Sequence, residues 1–138
     1  SASYNTIKVA VVSIVEPVGD CIRALESLHS NLHELKSVTD ADISMEIVIN
    51  KWHPSLKHVK DNMGVLYTKY GPNLNDTIIP QFSGFARQMD PTNKMSCPLV
   101  ESDPTSVGAR AMIDVAKSMI RSFGISHPGL VMNREEGA

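Results

Sequence analysis

The polar residues of greatest chemical interest lie in a short cationic segment. Five of its ten residues are lysine or histidine, and a tryptophan stands among them; the residues are Lys51, Trp52, His53, Lys57, His58 and Lys60. Ammonium groups bind phosphates, an indole ring stacks on a base or rests at a lipid interface, and histidine gains charge below about pH 6.5. The segment predicts contact with an anionic partner, either the phosphates of RNA or an anionic membrane surface. The alternative is a solvated surface turn with Trp52 in the core.

An apolar run stands in a segment that otherwise has the composition of an exposed loop. Residues 71–94 contain three prolines and show little periodicity, and the run within them is Ile78-Ile79-Pro80-Gln81-Phe82. Apolar side chains displayed on such a loop dock into a partner or a neighbouring subunit. Ile78, Ile79, Pro80 and Phe82 are therefore predicted to mediate self-association. The alternative is that they fold back as a plug on the domain's own core.

Metal binding and catalysis have little support. Glu26, His29 and His33 share one side of a predicted helix, and two histidines four residues apart are a common metal-binding pair. Both histidines flank a leucine stripe at the boundary with solvent, which favours a solvated flank. The sequence contains no Gly-x-Gly-x-x-Gly, no phosphate-binding loop and no Gly-x-Ser-x-Gly. We expect no cofactor, no metal and no enzymatic activity.

Hydrophobic patterning predicts the elements that position these residues. A β-branched run over 6–15 ends at a proline and predicts a largely buried strand, and leucines spaced three and four apart predict a helix over about 20–37. Ile43 to Ile49 predicts a second strand. The segment Val65 to Tyr70 predicts a third strand, and the segment Met95 to Val100 predicts an edge strand.

The last helix has the clearest boundaries. Asp103 is a good N-cap, Pro104 suits the first helical position, and Gly124 is placed for a left-handed C-cap after Phe123. Together the elements predict an α+β fold. Its single compact domain covers residues 1–125 and holds a small, mostly antiparallel sheet packed by two amphipathic helices, about 20–37 and 104–123. Residues 126–138 are expected to form a flexible tail.

Composition narrows the class of protein. The 138 residues carry 13 basic and 15 acidic side chains, and 42% are hydrophobic, which suits a folded domain and excludes a disordered or collagen-like chain. The near-neutral charge leaves room only for local electrostatic binding. The early apolar stretch is too short for a membrane helix and lacks the features of a signal peptide, and two cysteines suit a reducing compartment. We expect a cytoplasmic protein that is not secreted and has no transmembrane segment.

The order of elements resembles that of rhabdovirus matrix proteins. The β-rich segment YNTIKVAVVSIVEP leads through a proline turn to the acidic-capped helix GDCIRALESLH and then to the strand SMEIVINKW. A long loop, a late strand and an amphipathic C-terminal helix complete the similarity. The resemblance implies a non-enzymatic viral structural protein that self-associates and links nucleocapsid to membrane, present in the host cytoplasm and the virion.

A second resemblance is to the first βαβ unit of GT-A glycosyltransferases, carried by Lys8 to Asn50 and ending in MEIVIN. It implies a small α/β domain that binds a nucleotide sugar or another ligand. Those enzymes place an acidic residue at the end of the second strand, where this chain has Asn50-Lys51-Trp52. A deep pocket at the carboxyl ends of the strands, with converging acids, would favour this alternative. A solid core there, with an exposed loop carrying Ile78 and Ile79, would favour association.

Overall fold

A parallel βαβ unit opens the fold. The computed structural model describes residues 7–88, 90, 92 and 97–124. Strand β1 (Lys8–Val15), helix α1 (Gly19–Val38) and strand β2 (Asp42–Ile49) follow in sequence, and the two strands pair in parallel. A helical crossover returns the chain to the end at which β1 began, so both strands point the same way.

Four helices and one short turn follow in the described part of the chain. They are α2 (Lys57–Tyr70), a 3-10 turn (Gly71–Asn73), α3 (Ser83–Gln88), α4 (Leu99–Ser102) and α5 (Val107–Phe123). None of the helices within the described part of the chain combines the length and the apolar character that crossing a bilayer requires.

The predicted mixture of helices and strands, α+β, is confirmed, but the mostly antiparallel sheet is wrong. The predicted strand Val65–Tyr70 is the second half of α2, whose buried residues are spaced four, three and four apart from Val59 onward. The predicted edge strand Met95–Val100 is described only in part: its last two residues begin α4, and 95 and 96 lie outside the described residues. The described residues therefore form a two-stranded sheet in which both strands are parallel.

The two predicted helices are confirmed with adjusted bounds. The helix predicted over 20–37 is α1. The helix predicted over 104–123 is α5, which begins after Ser106 because the Ser106 hydroxyl accepts a hydrogen bond from the Ala109 amide at 3.2 Å. Gly124 ends α5 with a φ of 62°, the left-handed conformation predicted for it. The predicted tail 126–138 lies outside the described residues.

Helices cover both faces of the sheet around β2. On one face, the strand residues Ile47 and Ile49 pack with Leu25 of α1 and Leu66 of α2 in the main core. On the other face, Val48 packs with Val115 of α5. Successive residues of a strand point to opposite faces. Odd-numbered residues of β2 therefore face α1 and α2, whereas even-numbered residues face α5.

An extended segment, residues 74–81, lies along the edge of β2 that β1 leaves free. The Asn75 amide donates to the Ile47 carbonyl and the Ile79 amide to the Ile49 carbonyl, both at 2.8 Å. We call this stretch the covering segment. Within the described residues, β2 thus has a backbone neighbour on each side, and β1 forms the margin of the sheet.

Candidate interaction surface

The even-numbered residues of strand β1 are exposed although the strand is almost entirely apolar. From Val9 to Val15 it reads VAVVSIV, without a charge or a proline. Val12 is 40% exposed and Ile14 66%, whereas Glu46 and Val48, their neighbours across the ladder, are 7% and 1% exposed. The helical layer that covers β2 therefore leaves the same face of β1 open.

The backbone of β1 presents its even-numbered residues to the open edge. The Asp42 amide donates to the Ile7 carbonyl at 2.8 Å, and the Asn50 amide donates to the Val15 carbonyl at 2.9 Å. Odd-numbered residues of β1 thus turn their backbone groups toward β2, and alternate residues of a strand turn theirs the opposite way. The outward-pointing groups belong to Lys8, Ala10, Val12 and Ile14.

Such an edge is a template for another strand. Unpaired N–H and C=O groups along eight residues accept a further chain unless charges, prolines or bulges prevent it. Val9 to Val15 contains no charged residue and no proline, and the only charges of the segment are those of Lys8 and Glu16 at its ends. The geometry therefore supports strand addition at β1.

The apolar run predicted to mediate self-association packs onto the chain's own core instead. Ile79 is 5% exposed and clusters with Val48 and Val115, so its predicted display on an exposed loop is wrong. Its amide is bonded to β2, which draws the side chain beneath α5. For Ile79, therefore, the alternative holds in which the run folds back on the domain's own core.

The other three residues of that run are also partly covered. Ile78 packs against the main core, and Pro80 forms a bridge with Trp52. Phe82 meets Phe85 edge to face, with ring centroids 5.8 Å apart. The run therefore packs along the edge of β2, with Ile79 buried and Ile78, Pro80 and Phe82 partly exposed.

The cationic segment is divided between a turn and a helix. Lys51, Trp52 and His53 follow β2, whereas Lys57, His58 and Lys60 lie in the first turn of α2. The indole of Trp52 is half-buried and packs against the main core, as in the alternative that placed it there. The Nδ1 atom of His53 lies 2.7 Å from the Ser55 hydroxyl.

Two lysines of this segment are neutralised by carboxylates. Lys51 Nζ lies 2.8 Å from Glu16 Oε1, and Lys57 Nζ lies 2.8 Å from Asp61 Oδ2. In each pair, the hydrogen bond and the attraction of the carboxylate raise the pKa of the lysine. The local positive charge available to an anionic partner is therefore smaller than the composition suggests. His58 and Lys60 are exposed on the same helix.

An ion pair closes the carboxyl ends of the strands. Glu16 follows β1, Lys51 follows β2 with a φ of 53°, and their side chains meet there. A left-handed backbone is unusual for lysine and is strained by about 1 kcal/mol or more. The acidic residue that follows β1 is thus already paired with a base.

Two surface cavities lie away from this end of the sheet. One, of about 350 Å³, opens at the amino end of β2 and is lined in part by His29, His33 and Lys36. The other, of about 270 Å³, lies between α3 and α4 and includes Cys97. Neither provides the converging acids that the ligand-binding alternative required.

Glu26, His29 and His33 are not brought together around a common point. Glu26 forms an ion pair with Lys69 and raises the pKa of that lysine, and the His29 ring meets the Tyr70 ring edge-on at 5.4 Å. Across the described ranges, no group of three His, Cys, Asp or Glu side chains is placed to hold a metal.

A buried carboxylate on β2 was not foreseen from the sequence. Glu46 Oε1 accepts hydrogen bonds from Asn75 Nδ2 at 3.1 Å and from the Ser122 hydroxyl at 3.3 Å. Its Oε2 atom is buried and has no hydrogen-bond partner in the described structure. The one available indication was an acidic residue inside the apolar stretch Met45 to Ile49.

The exposure of Val12 and Ile14 was likewise not foreseen. A β-branched run has the same composition in an edge strand as in a central one, so the sequence predicted a largely buried strand.

No family model matches the chain, and no curated protein is significantly similar to it. Function is therefore best inferred from the open strand.

Proposed function

We propose that this chain is a non-enzymatic structural protein that self-associates through the open edge of β1. One observation carries the proposal: an eight-residue strand lies at the edge of the described sheet, its outward-turned residues Ala10, Val12 and Ile14 are apolar and exposed, and charges occur only at its ends. The association expected from the sequence is retained, but its site moves from the covering segment to β1.

The energetics favour association of moderate strength. Completely burying a valine or isoleucine is worth about 1.5–3 kcal/mol, and Val12 and Ile14 are only partly exposed, so each gains roughly 1 kcal/mol. Backbone hydrogen bonds add about 0.5–1.5 kcal/mol each. Association entropy opposes these gains. We expect a dissociation constant in roughly the micromolar to millimolar range.

A matrix-like role would combine this contact with an anionic partner. Lys60 and His58 are exposed on α2 and supply positive charge beside the paired Lys57. This supports weak binding to nucleocapsid or RNA, or to an anionic membrane surface, in the host cytoplasm and the virion. Binding to RNA or to anionic vesicles would fall steeply with added salt.

The small α/β ligand-binding or glycosyltransferase-like alternative has one supporting observation. The parallel arrangement of β1, α1 and β2 is that of a first βαβ unit. The Glu16–Lys51 ion pair and the position of the two cavities favour association over ligand binding.

A proline at Val12 tests the proposal without disturbing the core. The Val12 amide points away from β2, so Val12→Pro removes an edge donor and leaves the β1–β2 hydrogen bonds in place. Val12→Thr keeps the donor and the β-branched shape and is the matched control. In sedimentation velocity over a concentration series, we expect wild type and Val12→Thr to associate and Val12→Pro to stay monomeric.

Circular dichroism establishes that Val12→Pro is folded. If it is not, Val12→Lys repeats the test, because it charges the edge without changing the backbone. A wild type that stays monomeric near 1 mM would refute the proposal. So would a folded Val12→Pro or Val12→Lys variant that associates as strongly as wild type.

A further inference from the structure

We infer that two copies of this chain pair antiparallel through β1, about a two-fold axis that passes beside Val12. The inference rests on the proposed self-association and adds the partner and the register. In the dimer the two sheets join into one four-stranded sheet in the order β2, β1, β1, β2.

The backbone limits the registers that can form. Lys8, Ala10, Val12 and Ile14 turn their N–H and C=O groups to the open edge, as the bonds of Ile7 and Val15 to β2 show. Hydrogen-bonded positions of an antiparallel pair must turn these groups toward each other. Even-numbered residues of one copy therefore stand opposite even-numbered residues of the other.

Charge selects one register among these. With Val12 opposite Val12, Lys8 of each copy stands opposite Glu16 of the other, and opposite charges across strands are stabilising. The two neighbouring registers lose this match. If the axis lies at Val11, Lys8 stands opposite Ile14, and if it lies at Ser13, Glu16 stands opposite Ala10. Glu16 uses Oε1 for Lys51 and is 40% exposed, so it has a second oxygen for the partner.

Apolar side chains also match in this register. Val12 meets Val12 at the axis, and Ile14 meets Ala10 on both sides of it. All of these side chains are exposed on the same face in the single chain. Pairing thus closes one apolar strip between the two copies of α5.

Parallel pairing of two β1 strands is disfavoured. In register, it would place Lys8 beside Lys8 and Glu16 beside Glu16, and like charges opposite each other destabilise a sheet. An antiparallel pair uses the same patch on both copies and closes on itself. The second copy is therefore the occupant that the charge pattern of this edge fits.

Cysteine crosslinking tests the register directly. In a Cys21→Ala, Cys97→Ala background, Val12→Cys should form a disulfide-linked dimer, because directly opposite hydrogen-bonded residues have Cα atoms about 5.5 Å apart. Ala10→Cys alone and Ile14→Cys alone should not crosslink. A mixture of the two should, since residue 10 of one copy faces residue 14 of the other. Non-reducing electrophoresis and mass spectrometry identify the products.

Charge variants give a second, independent measurement. Lys8→Glu should weaken dimerisation about three- to tenfold, by placing a carboxylate opposite each Glu16. Lys8→Glu combined with Glu16→Lys should recover most of that loss. Sedimentation equilibrium measures the dissociation constants, and circular dichroism establishes that each variant is folded.

The outcomes separate this inference from the proposed function. If wild type dimerises but Val11→Cys or Ser13→Cys crosslinks to itself while Val12→Cys does not, the register is wrong and self-association stands. If wild type dimerises and neither Val12→Cys nor the Ala10→Cys and Ile14→Cys mixture crosslinks, the two-fold pairing is wrong. If wild type does not associate, both fail.

Discussion

Replacing Asn75 by alanine should be among the most damaging single changes outside the apolar core. Asn75 is 5% exposed, and its side chain connects the covering segment to the buried carboxylate of β2. Its Nδ2 donates to Glu46 Oε1 at 3.1 Å, while its Oδ1 accepts from the Thr77 amide at 2.9 Å. Asn75→Ala removes both bonds and leaves Glu46 with one weaker donor, Ser122.

The expected loss of stability follows from these two bonds. A hydrogen bond to a charged acceptor contributes about 1.5–3 kcal/mol, and an amide bond to a neutral acceptor about 1 kcal/mol. We therefore expect Asn75→Ala to lower the free energy of unfolding by about 2–4 kcal/mol. Domains of this size are stable by about 5–15 kcal/mol, so the change is a large fraction of the total.

Urea unfolding followed by circular dichroism measures the loss, with the exposed neighbour substitution Asp76→Ala as control. Asn75→Asp should be worse than Asn75→Ala, because it sets a second carboxylate against Glu46 and desolvates both. Adding Glu46→Gln to Asn75→Asp should recover much of the loss, since the new amide donates to the new carboxylate. A free-energy loss below about 0.5 kcal/mol for Asn75→Ala, or an Asn75→Asp variant as stable as wild type, would refute the reasoning.

Two further predictions concern glycines and alkaline pH. A Cβ at Gly64 in α2 meets nothing within 4 Å, so Gly64→Ala should stabilise by roughly 0.5–1 kcal/mol. One at Gly108 would lie 2.5 Å from Phe82 and 3.0 Å from Leu99, so Gly108→Ala should destabilise. A lower melting temperature for Gly64→Ala would contradict the first prediction, and a higher one for Gly108→Ala would contradict the second. Burial raises the pKa of Tyr70, so the folded state keeps a proton that the unfolded state loses. Stability should therefore fall above about pH 10, where tyrosine ordinarily ionises. Urea titrations at a series of pH values should show that the free energy of unfolding falls less steeply above pH 10 for Tyr70→Phe than for wild type. An equal fall in both would contradict this assignment.

Periodicity alone was sufficient for the longer elements. The helical stripe of α1 and the apolar alternation of β2 are local patterns, and both elements lie close to the predicted bounds. Helix α2 was misassigned in its second half, because Val65 to Tyr70 taken alone mixes apolar and β-branched residues. Its four- and three-residue spacing is visible only when Val59 and Met63 are included.

The interaction surface depends on tertiary packing that the sequence does not encode locally. Val12 and Val48 are residues of the same type in similar apolar runs, yet Val12 is 40% exposed and Val48 1%. The difference arises because α5 packs over β2. Ile79 shows the converse: its loop-like sequence suggested exposure, but its amide bonds to β2 and the side chain is buried.

The two edges of the sheet differ in whether they can pair with a further strand, and this limits the kind of assembly that can form. On one side the covering segment includes Pro80, which has no amide hydrogen, and its neighbouring residues already bond to β2 or to Trp52. On the other side, no strand of the described residues pairs with the outer edge of β1. A two-fold pairing at β1 uses that edge completely in both copies and closes on itself, so it yields a dimer rather than a filament. A shell of many copies, as a matrix-like role requires, would need a second contact on a different surface. The exposed His58 and Lys60 lie on α2, which packs on the odd-numbered face of β2, whereas a second copy would pair at the edge of β1.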